Sequence, residues 1–136
     1  MVSPEDLTGI ALFESLTPDQ LRELANWFHV QNSSAGMRLV GEGAPGYTFF
    51  VLIDGTAQVT SEGAVLATLG PGDFFGEIAI LGDGRRTATV TSTSPVRLFV
   101  LFGTEFRRLE ALQPEISSRL TAAMKSRLAG LVAEPA

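Results

Sequence analysis

The stretch Phe74-Phe75-Gly76-Glu77-Ile78-Ala79-Ile80-Leu81-Gly82-Asp83-Gly84-Arg85-Arg86-Thr87-Ala88-Thr89-Val90 decides how this chain is read. It follows a Pro71-Gly72-Asp73 turn, and a short apolar turn of helix is expected after Glu77. A bend at Gly82-Asp83-Gly84 then leads into a β-type run opening with Arg86-Thr87-Ala88. Gly76 has no side chain, so a ligand can approach the backbone there, and the amides that follow can face a negative group as those of a helix N-terminus do. Arg86 can offer a fork of donors to two oxygens of one phosphate. Glu77 would be repelled by a bound anion unless it faces a donor, and a sugar hydroxyl is such a donor. Glycine, main-chain amides, one arginine and one carboxylate at this spacing suit a sugar joined to a phosphate of low charge. The Lys-Ser/Thr end of a triphosphate-binding loop is absent, and so is an evident magnesium site.

The same residues resemble the phosphate-binding cassette of cyclic nucleotide-binding domains. That pattern is F-G-E-hydrophobic-A-hydrophobic-hydrophobic, a variable loop, then R-(T/S/A)-A-(T/S)-V, and it runs without a gap from Phe75 to Val90. The resemblance implies that Glu77 accepts from the ribose 2′-hydroxyl and that Arg86 holds the cyclic phosphate, helped by the amides of Gly76 to Ile78 and of Ala88. Thr87 stands where the family carries Ala, Ser or Thr, and its hydroxyl can reach the phosphate or the 2-amino group of guanine. Cyclic AMP and cyclic GMP are both compatible ligands. Plainer readings exist beside these: Glu77 and Arg86 as a structural ion pair across the loop, Arg85 as a solvated charge, and Thr87, Thr89 and Thr91 as ordinary β-branched strand residues.

The remainder of the chain fits one module. Its 136 residues, 45% of them hydrophobic, suffice for a single domain with its own core. A net charge of -5 and a pI near 4.8 argue against direct nucleic-acid binding. Zero cysteines exclude disulfides, thiolate catalysis and cysteine-based zinc sites, and fit a cytoplasmic location. Glu5 and Asp6 stand where a secretory signal would carry positive charge, and no run approaches the roughly 20 apolar residues of a membrane span.

Along the chain, residues 1–30 read as N-terminal helices, 36–102 as an antiparallel β-roll containing the cassette 74–90, and 104–132 as C-terminal helices. Thr17 can cap a helix with Pro18 first and Gln20 third, a capping box closed by a Leu16–Leu21 staple, and Leu21, Leu24, Ala25 and Phe28 make its apolar face. A shorter helical segment is expected over Leu7, Ile10, Ala11 and Phe13. His29, the sole histidine, has no second one to share a metal. From Met37 to Leu101, turn signals every eight to twelve residues indicate a small barrel or jelly roll. Asp54-Gly55 and Glu62-Gly63 read as hairpin turns joining strands near 47–53, 56–61 and 64–69. Gly36-x-x-Leu39-Val40-x-x-Gly43 and Phe49-Phe50-Val51-Leu52-Ile53-Asp54-Gly55-x-x-x-Val59 also resemble the first half of the family's roll. Beyond Leu101, Glu105–Leu112 is expected as one helix and Pro114 as the opening of another, striped with Ile116, Leu120, Ala123, Met124, Leu128 and Leu131.

The expected fold is therefore mainly β with flanking helices: an antiparallel β-roll of jelly-roll type with N-terminal helices and a C-terminal helical lid. The resemblance is nearest to the regulatory domains of bacterial cyclic nucleotide-gated channels, where an arginine near the end of the last helix contacts the base; Arg127 is the matching position. Val59 and Leu69 are expected in the apolar wall of the base pocket. The implied function is a non-catalytic cyclic nucleotide receptor, needing no cofactor or metal, that closes its last helix over the ligand and controls an effector not identifiable from this chain. No helix-turn-helix follows the last helix, so the chain resembles the sensor half of a catabolite activator without its DNA-binding half. Two alternatives stand beside this reading: a β-roll interaction module that no longer binds nucleotide, and a cupin enzyme, which would need a histidine cluster that one histidine does not supply.

Overall fold

Each N-terminal helix starts where its sequence provides a cap. In α1 (Pro4–Leu7) the Asp6 carboxylate accepts from the Ser3 backbone N–H and the Ser3 hydroxyl, both at 3.0 Å. These bonds hold the Asp6 carboxyl below its ordinary value, the backbone one contributing most. A short 3₁₀ turn (Ala11–Phe13) follows. In α2 (Pro18–Ala25) the Gln20 N–H donates to Thr17 Oγ1 at 3.2 Å and the Thr17 N–H to Gln20 Oε1 at 3.0 Å, the reciprocal pair expected of Thr-x-x-Gln. The structure, a computed structural model, describes residues 2–41, 48–76 and 88–133, the side chains of 127–133 excepted.

The strands are β1 (His29–Ser33), β2 (Arg38–Val40), β3 (Thr48–Asp54), β4 (Ala57–Ser61), β5 (Ala64–Leu69), β6 (Phe74–Phe75), β7 (Thr89–Ser92) and β8 (Val96–Phe102). They form two antiparallel four-stranded sheets, ordered β1-β8-β3-β6 and β2-β7-β4-β5. After β8 come α3 (Gly103–Leu112) and α4 (Pro114–Ala133). This is the expected β-roll with flanking helices.

Alternation along the central strands builds two cores from one sheet. Phe49 and Val51 of β3, with Phe99 and Leu101 of β8, face a helical core that also takes in Leu24, Phe106, Leu109, Ile116, Leu120 and Met124. Phe50 and Leu52, with Leu98 and Val100, face the second sheet and meet Ala57, Phe75, Val90 and Val96. The layers are thus helices, first sheet, second sheet. Ile116, Leu120 and Met124 recur every four residues on α4 and are buried, so the first half of that helix is fixed to the core. Arg119 strengthens the attachment, donating to the Ser15 carbonyl at 2.6 Å and to Glu115 at 3.0 Å.

Four details differ from the sequence reading. The first sheet begins at His29, ahead of the expected roll boundary at 36, because α2 ends at Ala25 and the chain turns through Asn26 and Trp27. Phe28 is buried as expected, yet beyond the helix, with its ring 5.9 Å from Phe13 and 6.2 Å from Phe99. Asp54-Gly55 is not a hairpin turn, since β3 and β4 belong to different sheets; it carries the chain from one to the other. Gly55 passes there at φ +92, and a Cβ on it would lie 2.2 Å from the Pro95 carbonyl oxygen. Glu62-Gly63 is a true hairpin turn: Ser61 faces Ala64, and φ values of 52 and 81 match the positive pair a two-residue turn of this twist requires. Lastly, α3 starts at Gly103, one residue before the expected C-terminal helical region.

Candidate ligand-binding site

The approach to the candidate site is a turn whose residues each have a task. Pro71 sets the first corner and Gly72, at φ +94, the second, while the Asp73 N–H closes the turn on the Gly70 carbonyl at 3.1 Å. The Asp73 carboxylate reaches back to the Gly70 N–H at 2.8 Å. Backbone bonds then tie this turn to β3: Gly72 N–H to Leu52 O at 2.7 Å, and Leu52 N–H to Asp73 O at 2.8 Å. The turn therefore fixes the register of β6, in which Phe74 pairs with Val51 and Phe75 with Phe50. The Phe75 and Phe50 rings stack with centroids 4.7 Å apart, a contact worth about 1 kcal/mol beyond the area it buries.

Gly76 follows at once, buried and at φ +78, a backbone region that favours glycine. On the far side, half-buried Ala88 leads into β7, an interior strand of the second sheet, where Thr89 pairs with Thr60 and Val90 with Val59. Gly76 thus follows the edge strand of one sheet, and Ala88 precedes an interior strand of the other. Glu77, Ile78, Arg86 and Thr87 lie outside the described residues, as do the expected helical turn after Glu77 and the side chain of Arg127.

Val59 and Leu69 come together. Ala57 pairs with Leu69 and Val59 with Ala67, which sets Val59 and Leu69 diagonally on one face of the β4–β5 hairpin. Both are half-buried against the core between the sheets, and Val59 lies directly across from Val90, two residues beyond Ala88. An apolar wall beside the downstream end of the segment is what these positions can form. His29 has a structural partner: its Nε2 lies 2.9 Å from a Glu105 carboxylate oxygen, joining β1 to the first turn of α3.

Two residues that shape this region were not singled out from sequence. Ser92 is buried, donates its hydroxyl to the Ser34 carbonyl at 2.6 Å and accepts from the Met37 N–H at 2.9 Å, fastening β7 to the turn before β2. The available signal was its phase, two residues from Val90 and hence on the buried face. Phe74 is the other; it packs into the helical core with its ring 5.8 Å from Phe49.

Residues 30–111 match the family model of the cyclic nucleotide-binding domain. The chain belongs to that family. It is 36% identical over 96 residues to the cGMP-dependent protein kinase egl-4 of Caenorhabditis elegans, covering 71% of this chain and 12% of the kinase. With a cAMP-dependent protein kinase regulatory subunit of Hypocrea atroviridis it shares 33% identity over 103 residues, 76% of this chain and 22% of the subunit. The chain therefore spans less than a quarter of the length of these curated relatives. Among solved structures, a Geobacter metallireducens GS-15 chain has the same fold, with a TM-score of 0.84 at 22% identity over 96% of this chain and 98% of the other. The cAMP-bound PfPKA-R (141-441) aligns with a TM-score of 0.74 at 27% identity, covering 96% of this chain and 46% of that one. As a cyclic nucleotide-binding domain, the chain has homologues with regulatory roles. Among the described residues, no helix is long and apolar enough to cross a membrane.

Proposed function

We propose that this chain is a non-catalytic receptor domain for a cyclic nucleotide, cyclic AMP or cyclic GMP, acting in the cytoplasm on an effector joined to it or bound by it. The observation that carries the reading is the unbroken run from Gly76 through Glu77, Arg86 and Ala88 to Val90 in a chain of this family. In this reading Arg86 binds the cyclic phosphate, with the amides of Gly76, Glu77, Ile78 and Ala88 assisting. Glu77 accepts from the ribose, Thr87 touches the phosphate or a guanine amino group, Val59 and Leu69 line the base, and Arg127 meets the base from α4. Relatives named for cGMP and for cAMP leave both bases in play. The whole of residues 1–136 serves as one domain, and no cofactor or metal takes part.

Binding acts by population shift: the ligand favours the conformer in which the cassette is ordered on its phosphate and the last helix is closed over its base. Because α4 is anchored in the core up to Met124, closure is assigned to the part of the helix beyond that residue. A cyclic nucleotide has about 22 non-hydrogen atoms, and at about 0.3 kcal/mol each the expected Kd falls in the micromolar range. The test is calorimetric titration of Arg86→Ala beside the unsubstituted chain. Affinity should fall at least about tenfold, as expected for loss of a charge-assisted pair, with an unchanged circular dichroism spectrum. A well-folded Arg86→Ala that binds as tightly as the parent refutes the phosphate assignment.

A further inference from the structure

Phe74 and Phe75 are neighbours on one strand, and the two-residue period sends their side chains to opposite layers. Phe75 stacks on Phe50 in the core between the sheets. Phe74 lies across from Val51 and meets the fully buried Phe49 in the core beneath the helices. That core takes side chains from α2, α3 and α4, among them Leu24, Phe106 and Leu120. At the other border of the candidate segment, Val90 packs into the inter-sheet core. Of the hydrophobic border residues Phe74, Phe75 and Val90, Phe74 is the one that packs against the helical core, while Asp73 beside it borders a cleft shared with Ile10 and Ala11.

We propose that Phe74 is the positioning residue that carries occupancy of the nucleotide site into the helical layer. The inference rests on the receptor reading above. Gly76 is two residues from Phe74 on a strand tied to β3 through Gly72, Leu52 and Asp73, so little slack separates the start of the site from this ring. Close-packed interiors pass displacements on instead of absorbing them, and the ring's neighbour Phe49 is fully enclosed. A shift of the backbone at Gly76 when ligand binds is therefore delivered to the packing beneath α2, α3 and α4. Phe75 stacks on Phe50 between the sheets and does not face the helices, while the backbone bonds among Gly72, Leu52 and Asp73 hold the register.

The chain carries its own reporter. Trp27 is its sole tryptophan, half-buried against the helical core with the Arg108 guanidinium 5.9 Å from its ring. The experiment titrates the full chain with whichever of cyclic AMP and cyclic GMP binds tighter, following heat and Trp27 emission in parallel, for the parent, Phe74→Leu and Phe75→Leu. In the parent and in Phe75→Leu the emission change should saturate with the heat. Phe74→Leu should bind within about fivefold of the parent yet lose more than about half of the emission change, because coupling and not contact has been removed. Phe74→Met serves if the leucine variant does not fold. A full emission change in the Phe74 variant, an equal loss in Phe75→Leu, or a parent that binds with no Trp27 response overturns this inference alone. A parent that binds neither nucleotide overturns the receptor reading and this inference with it.

Discussion

Replacing Gly55 by alanine should be among the more damaging one-carbon changes in this domain, and its cost can be built from parts. Gly55 sits at φ +92, where an L side chain is strained by about 1–2 kcal/mol. The added Cβ would also lie 2.2 Å from the Pro95 carbonyl oxygen and 2.9 Å from Ser94 Oγ and Val96 Cγ1, so the backbone on one side must move. Movement there strains the clasp between the two connections: Thr93 N–H to Thr56 O at 2.9 Å, Thr56 N–H to Ser94 Oγ at 2.9 Å, and the Thr56–Thr93 hydroxyl pair at 2.7 Å. Losing two of these bonds adds about 2 kcal/mol, for a total of about 3–4 kcal/mol. Gly63→Ala is the control, because Gly63 has a similar φ of +81 and nothing within 4 Å of its virtual Cβ. It should show the strain alone, about 1–2 kcal/mol. Urea unfolding monitored by circular dichroism separates the two: with a slope of roughly 1–3 kcal/mol per molar, Gly55→Ala should lose on the order of 1 M more in midpoint than Gly63→Ala. Equal midpoints for the two variants would refute the steric argument.

Two further predictions concern stability. Ser92→Ala removes a buried hydroxyl that both donates and accepts, and should cost about 2 kcal/mol in the same unfolding assay, while leaving the Met37 N–H without its side-chain acceptor. Asp6 has a folded pKa below its ordinary 3.8, so its bonds to Ser3 contribute stability that is complete above the ordinary value and lost as pH falls through the lower folded one. The stability difference between the parent and Asp6→Asn should accordingly be constant at neutral pH and shrink as the solution is acidified below about pH 4, measured by urea midpoints across a pH series. The effect is small, since Asp6 is only half-buried and its bonds are open to solvent screening.

What could be read from the sequence was what local chemistry states outright. The Thr17–Gln20 box, Pro114 at the head of α4 and the Glu62-Gly63 turn are short-range signals with one interpretation each, and all three stand in the structure. Strand β1 gave no such signal: His29-Val30-Gln31-Asn32-Ser33 is largely polar and exposed, and its place comes from pairing with β8, nearly seventy residues later. Asp54-Gly55 has the look of a hairpin turn, but a dipeptide does not say whether the next strand folds back or crosses to another sheet; the Pro95 carbonyl beside Gly55 shows why glycine is needed. Phe28 was correctly placed inside for an incorrect reason, since helical periodicity and a post-helix turn both bring it to Phe13 and Phe99. In the candidate site, the sequence offers the glycine and charge pattern of the segment, and strand register sets Val59 and Leu69 on one face of the β4–β5 hairpin. The role of Phe74 was hidden because adjacent phenylalanines look alike until the strand assigns each to a layer.

The measurement that tests the central claim most directly is calorimetric titration of the purified, nucleotide-stripped chain with cyclic AMP and cyclic GMP, with linear AMP as control. The account predicts saturable binding of a cyclic nucleotide in the micromolar range and weaker binding of linear AMP, the ratio of the two cyclic affinities fixing base preference. A folded chain, free of carried-over ligand, that binds neither cyclic nucleotide would contradict it and leave the β-roll as an interaction module.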